Sequence, residues 1–254
     1  HVLETCLAED PPPRVRQDDA TAQTILTGMG ELHLDDITSR KQREFTTQVN
    51  LGKPQVVHRE TIETEAEGNA IFDKEIAGQR QFGAVTLRLK PLPRGSGVRF
   101  ASRVRAETIP EIFIPVIEKG VMESLESGTL MGYPVVDVDA MLVGGSFRES
   151  HGTELAYKVA ASIACKNALN NAKPYLLDPI MKVEVFVPEA FMGEVIGDLN
   201  ARDGKIEAIE SQAGIQVIKA VVPLAQMFGY STVLRSATQG RGTFTMQFSH
   251  FDRP

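Results

Sequence analysis

Gly144 to Lys173, GGSFRESHGTELAYKVAASIACKNALNNAK, reads as a polar loop feeding one long helix. Thr153 is placed to cap the helix, and Glu154 puts a negative charge in the first turn, where the helix dipole favours it. Leu155, Val159 and Ile163 recur every four residues beside Ala156, Ala160 and Ala164, which predicts an apolar stripe on a core. Asn170, Asn171 and Pro174 end the helix. From Glu154 to Lys173 the rod runs about 20 residues, or roughly 30 Å. The loop at its N-terminal end carries Ser146, Phe147, Arg148, Ser150 and His151. Donors, a cation and a ring at a helix N-terminus suit an anionic partner such as a nucleic-acid backbone. A solvated loop before an ordinary core helix explains the same pattern.

The totals bound what such a loop can serve. A chain of 254 residues exceeds one small domain, and two or three are expected. No apolar run approaches the roughly 18–20 residues of a membrane span. Only Cys6 and Cys165 are present, which fits reduced thiols in a cytosol and no disulfide framework. With 27 Lys+Arg against 33 Asp+Glu the net charge is −6, so nucleic acid could be held only by local basic patches. The candidates are Arg40, Lys41 and Arg43; Arg88 and Lys90; Arg99, Arg103 and Arg105; Lys158 and Lys166. Each cluster alone is equally a solvated face.

Outward from the opening stretch, periodicity sorts the chain into three regions. His1 to Asp10 reads as a helix, Arg14 to Asp18 and Thr21 to Gly28 as strands, Asp35 to Phe45 as a helix and Thr47 to Leu51 as a strand. That is a split βαββαβ order without its first strand, and it predicts missing sequence upstream. Pro54 to Ile62 is a connector. The second region opens with a polar strand, Glu63 to Glu75, and a turn from Ala77 to Val85 that holds Gln79, Arg80 and Gln81. Val85, Leu87 and Leu89 alternate with polar residues as a strand. PLPRGSG, Pro91 to Gly97, reads as a hairpin turn before the strand Val98 to Ala106. A helix from Ile112 to Ser127 and a strand from Val135 to Val143 lead to the long helix. After Pro179 come a strand (Met181 to Val187), a helix (Met192 to Ala201), a hairpin (Lys205 to Gln212, Ile215 to Val222), a helix (Ala225 to Leu234) and a strand (Thr243 to Phe251). This is a complete βαββαβ set.

Catalytic signatures are missing. The sequence holds no G-x-x-x-x-G-K-[ST], HExxH, CxxC or GxSxG string. Its five histidines are scattered, and GMGELH at Gly28 lacks the third glycine of a dinucleotide fingerprint. Asp137 and Asp139 read as exposed strand residues rather than an acid–base pair. RGSG at Arg94 and QGRG at Gln239 read as tight turns. Phe228 and Tyr230 could stack on bases, or pack a core.

Longer strings are more specific. GMGELHL (Gly28 to Leu34), GKPQVVHRETI (Gly52 to Ile62), PLPRGSG, PVVDV (Pro134 to Val138), ELAYKVAAS (Glu154 to Ser162), DPIM (Asp178 to Met181), GEVIGDLNARDGKI (Gly193 to Ile206) and PLAQMFGYSTVLRSATQGRGTFTMQF (Pro223 to Phe248) run in order. Together they resemble the C-terminal half of bacterial elongation factor G. The resemblance implies an α+β chain of three domains: 1–62, domain three, incomplete; 63–178, an elongated domain four with a βαβ crossover; 179–254, domain five. The first and last would be ferredoxin-like.

The resemblance also implies a role. The family is a ribosomal translocase, which moves transfer RNA and messenger RNA in a GTP-dependent step of protein synthesis in the cytoplasm. Its domain four enters the decoding site of the small subunit, and its domain five packs near large-subunit ribosomal RNA. The RNA- and ribosome-binding residues carried over are Gln79, Arg80, Gln81, Phe147, Arg148, Ser150, His151 and Gly152 for the first contact. For the second they are Met227, Phe228, Gly229 and Arg241. GTP and Mg are implied on an N-terminal domain outside these residues. No catalytic residue, cofactor or metal ligand is implied within them, nor any membrane, and the protein is expected to be a monomer off the ribosome. The sequence departs from the family where Arg148 stands in place of a His, where His151 and Gly152 replace an Asp and a Ser, and where AGQRQFGA replaces a run of glycines. Relatives with an altered loop include copies specialised for ribosome recycling. That role and a ribosome-protection protein are the alternatives.

Overall fold

A computed structural model describes residues 14–18, 23–27, 56–212 and 214–253. The chain divides into two compact units, His1–Gln55 with Met181–Phe248, and Val56–Ile180 with Ser249–Pro254. Of the first 55 residues only two strands are described, β1 (Arg14–Asp18) and β2 (Gln23–Thr27), paired antiparallel. The helices expected over 1–10 and 35–45 and the strand over 47–51 lie outside the described residues.

Alternation builds the sheet of the unit that holds the long helix. Its strands are β3 (Arg59–Ile62), β4 (Ala66–Ile76), β5 (Gln79–Pro91), β6 (Val98–Ser102) and β7 (Val138–Ser146). Four of them form one sheet in the order β4-β5-β7-β6. Val85, Leu87 and Leu89 of β5 and Val138, Ala140 and Leu142 of β7 point to one face and are buried. Helix α1 (Ile114–Ser127) connects β6 to β7, which run parallel, so the expected βαβ crossover is present. PLPRGSG is therefore no hairpin turn. It joins two strands that do not pair, because β7 lies between them. Nor do Gln79, Arg80 and Gln81 form a turn. The turn is only Ala77-Gly78, and these residues start β5.

Helix α2 (Glu154–Asn171) packs on the same face with the alanine half of the stripe expected of it, Ala156, Ala160 and Ala164, but not with Leu155 and Ile163. Leu155 and Ile163 are 50% and 43% exposed, whereas Ala156, Ala160, Ala161, Ala164, Cys165, Ala168 and Leu169 are sealed. The reason is the approach distance. A Cβ on Gly68 of β4 would sit 2.2 Å from Ala164 O, and one on Gly83 of β5 would sit 2.8 Å from the Ala156 carbonyl carbon. At those two close approaches only small residues fit between helix and sheet, which leaves Leu155 and Ile163 on the exposed flank.

Helix α1 ends in a loop, 128–133, held from inside. The buried Glu60 of β3 accepts hydrogen bonds from the backbone N–H groups of Thr129, Leu130, Met131, Gly132 and Tyr133. Asp137 is also buried rather than exposed. Its side chain accepts from Gly97 N at 3.0 Å and faces Arg94.

Strand β8 (Pro174–Pro188) is continuous through Pro179, where a break was expected. Its first residues pair antiparallel with β3. In the other unit, β8 is followed by α3 (Met192–Ala201), β9 (Lys205–Gln212), β10 (Ile215–Pro223), α4 (Tyr230–Ala237) and β11 (Thr243–Asp252). The sheet order β11-β8-β10-β9 places the two hairpin strands in the ferredoxin-like arrangement. Val183, Val185, Val187, Ile218, Ala220 and Val222 pack with Val195 and Leu199 of α3 and Tyr230 and Leu234 of α4. The helix expected over 225–234 is split: a 3-10 turn, Leu224–Met227, precedes α4, with Gly229 left-handed at φ 74° between them. The architecture is α+β.

Candidate nucleic-acid interface

Two segments meet at one end of the four-stranded sheet. The first is the β4–β5 hairpin, closed by Ala77 and Gly78, both at positive φ (52° and 78°) as a two-residue primed turn requires. The second is the loop 147–152 between β7 and α2. His151 N and Gly152 N both donate to Arg148 O, which curls the loop into a tight turn. Phe82 N then donates to His151 O at 2.6 Å, tying loop to hairpin. Thr153 caps α2 by accepting from Ala156 N at 3.2 Å, and its hydroxyl donates to the Gln81 amide oxygen at 3.1 Å. The helix start is thus fixed to the hairpin as well as to its own backbone.

Charge is arranged around one carboxylate. Arg80 places Nε and Nη2 on Asp73 at 2.7 and 2.9 Å, a bidentate fork. Arg148 Nη1 reaches the same Asp73 at 3.0 Å, and its guanidinium carbon lies 3.9 Å from the Phe82 ring centroid. The Arg80 hydrogen bonds, followed by the charges of Arg80 and Arg148, hold the Asp73 carboxyl below its ordinary range. Both arginine side chains stay about half exposed, at 58% and 49%. The trio carries one net positive charge and leaves guanidinium N–H groups pointing to solvent.

Of the residues expected at this contact, Gln79, Arg80, Arg148 and Ser150 are exposed, and Gln81, Phe147, His151 and Gly152 are half-buried. The structure brings all eight into the two joined segments. Phe147 is not free to stack on a base. It packs 5.8 Å from the Phe113 ring, which itself stacks on Tyr157 at 4.5 Å. A Cβ at Gly152 would meet the Phe147 ring at 2.5 Å, so the glycine is what lets the ring lie down. Asp73 and Phe82 were not singled out from sequence. Their signal is the hairpin register: with Ala77-Gly78 as the turn, residue 73 falls opposite residue 82.

The second expected contact lies in the other unit and is not a single cluster. Met227 is 3% exposed and belongs to the core, which removes it as a contact. Tyr230 is buried likewise, against Phe244 and under Arg202. Phe228 is half-buried, and Gly229 starts α4. Arg241 follows the other end of that helix, roughly 12 Å along its axis. There it lies over the Phe191 ring at 5.5 Å.

A cleft of about 460 Å3 is lined by Glu67, Gly68, Asn69, Thr86, Asn167, Asn170 and Asn171. Its lining of amides, one hydroxyl and one carboxylate holds no cation to cradle a triphosphate. Among the described residues no three His, Cys, Asp or Glu side chains converge to hold a metal ion, and no helix is long and apolar enough to cross a membrane.

Comparison with known proteins gives the class first. Family models for translation-factor domains match in succession: elongation factor G domain III over 1–53, domain IV over 54–173 and the C-terminus over 175–253. A crystal structure of a protein from Thermus thermophilus superposes with a TM-score of 0.83 at 36% identity. The match covers 98% of this chain and 37% of that one. The chain belongs to the elongation factor G family.

Proposed function

We propose that these domains act on the ribosome as part of a translocase, moving transfer RNA and messenger RNA in a GTP-dependent step in the cytoplasm. The joined segments 79–82 and 147–152 are the part that touches RNA. The observation that carries this reading is the hydrogen-bonded meeting of the two segments, with both guanidiniums half exposed beside a capped helix N-terminus. Phosphate oxygens accept from that donor set without base specificity. No bond need be made or broken at these residues. A contact that differs between two ribosome states, biased by hydrolysis elsewhere in the protein, is sufficient.

Asp73 favours a second reading. By holding both arginines it leaves them less free than two isolated cations, which suits a copy tuned for ribosome recycling rather than for following the transfer RNA. Single-turnover translocation by the whole protein decides between them. Movement of transfer RNA that Arg148→Ala slows supports the first reading. No movement, with splitting of post-termination ribosomes in the presence of recycling factor, selects the second.

A further inference from the structure

Residues 98–105, VRFASRVR, combine two patterns in the edge strand β6 and the three residues that follow it. Val98, Phe100 and Val104 pack partly buried against the core, while Arg99, Ala101, Arg103 and Arg105 are exposed. Strand alternation puts Arg99 on the face turned away from the helices, and Arg103 and Arg105, which follow the strand on either side of the inward-packed Val104, are exposed. The ladder runs one residue past β6, with Arg103 N donating to Leu142 O at 2.9 Å. Since β6 is the last strand of its sheet, nothing in that sheet flanks it on the outer side. Lys90 of β5 joins the row through the register Lys90, Asp139, Arg99.

These four cations differ from the arginines around them, although Lys74, Lys119, Lys166 and Lys173 of the same unit are likewise outside the ion pairs among the described residues. Arg80, Arg88, Arg94, Arg148 and Lys158 are each in an ion pair. Among the described residues no carboxylate stands within ion-pair distance of Lys90, Arg99, Arg103 or Arg105. Asp139, half-buried, and Glu107, exposed, are the acids on or beside the row. No large apolar side chain is exposed along it, so it lacks the anchors a protein interface is built on.

We propose that Lys90, Arg99, Arg103 and Arg105 form a second RNA-docking surface that grips the sugar–phosphate backbone without reading sequence. It is separate from the joined segments and goes beyond the reading given for them. In a chain of net charge −6, such attraction has to come from unpaired local cations, and this row holds four of them.

The test uses the 254-residue chain and a fluorescent single-stranded RNA of mixed sequence, titrated by anisotropy across a range of KCl concentrations. Replacing all three arginines (R99Q/R103Q/R105Q) should lower the slope of log affinity against log salt by about 2 and weaken binding about tenfold at about 0.1 M salt. Arg148→Gln should weaken binding independently, its effect adding to that of the triple variant. If the triple variant binds like the parent while Arg148→Gln is weakened, the row is not an RNA surface and the joined segments alone bind. If Arg148→Gln is silent and the triple variant is weakened, the row stands and the reading of those segments falls. A parent chain that does not bind RNA overturns both. Polyglutamate bound as tightly as RNA, and lost equally in the triple variant, would assign the row to an acidic protein instead. Single variants Arg99→Gln and Arg103→Gln, each with an unchanged melting curve, guard against misfolding.

Discussion

Arg148 stands over the ring of Phe82, its guanidinium carbon 3.9 Å from the ring centroid, a position that also delivers one nitrogen to Asp73. The cation is held by a π face and a carboxylate that belong to paired strands, since Asp73 and Phe82 are register partners in β4 and β5. Arg80 binds the same carboxylate. The two arginines should therefore behave as one unit. In RNA binding, Arg80→Ala and Arg148→Ala should combine non-additively in the parent and additively once Asp73 is Asn. Additivity in both backgrounds would mean that Asp73 does not couple them.

The close seat of α2 on the sheet gives a sharper contrast. Gly68→Ala forces a methyl group into the helix backbone at Ala164 and should cost about 2–3 kcal/mol, the upper range for overpacking. Leu155→Ala, at a half-exposed flank position, should stay within about 0.5 kcal/mol. Urea denaturation of both variants measures the difference. A larger loss at Leu155 would restore the leucine stripe as the packing face.

That division of the stripe shows where sequence was informative. Period and capping located α2 almost to the residue, because Thr153 and the alanine-rich run act locally. Periodicity found the alanine side that is buried, but that Leu155 and Ile163 stay outside it was decided by Gly68 and Gly83, far upstream in the chain, on which no helical periodicity reports. Arg80 and Arg148 were legible as cations in polar segments, but their shared partner depended on strand register. PLPRGSG misled for a related reason: its composition signals a turn and says nothing about a third strand entering between the two it joins. At Met227, family strings marked a functional stretch without separating its buried residue from its half-buried neighbours.

Ala77 occupies a left-handed position, φ 52°, in the two-residue turn of the β4–β5 hairpin. A Cβ there is unfavourable, and asparagine tolerates the conformation best among residues other than glycine. Ala77→Asn should raise stability by about 0.5–1 kcal/mol while leaving the register Ile76 to Gln79 intact. Thermal melts check the gain. A loss of stability would mean that the turn does not adopt the primed geometry.

Cys165 lies sealed between α2 and α1, and burial pushes its thiol up to about 12. Thiolate is the reactive form, so at about pH 8 the native chain should leave Cys165 unmodified by iodoacetamide, whereas urea-unfolded chain should be labelled there. Mass spectrometry of the peptide carrying residue 165 distinguishes the two states. Rapid labelling without denaturant would show that this helix interface opens readily.

Glu60 makes folding sensitive to acid. Burial alone would raise its pKa, but the N–H groups of Thr129, Met131, Leu130 and Tyr133 outweigh burial, and the net shift is downward from 4.5. A carboxyl with a depressed folded-state pKa contributes stability that is complete above the unfolded value. That contribution disappears as pH falls from about 4.5 through the folded value. Glu60→Gln keeps the shape but presents an amide NH2 to backbone donors, so it should cost about 2–3 kcal/mol at about pH 7. Because the loss in the variant is already present at neutral pH, the gap between variant and parent should narrow below about pH 4.5, as the parent's own carboxylate protonates. Denaturation midpoints for both proteins from about pH 7 to about pH 3 test this. Two curves that stay parallel across that range would show that the Glu60 carboxylate does not hold the 128–133 loop.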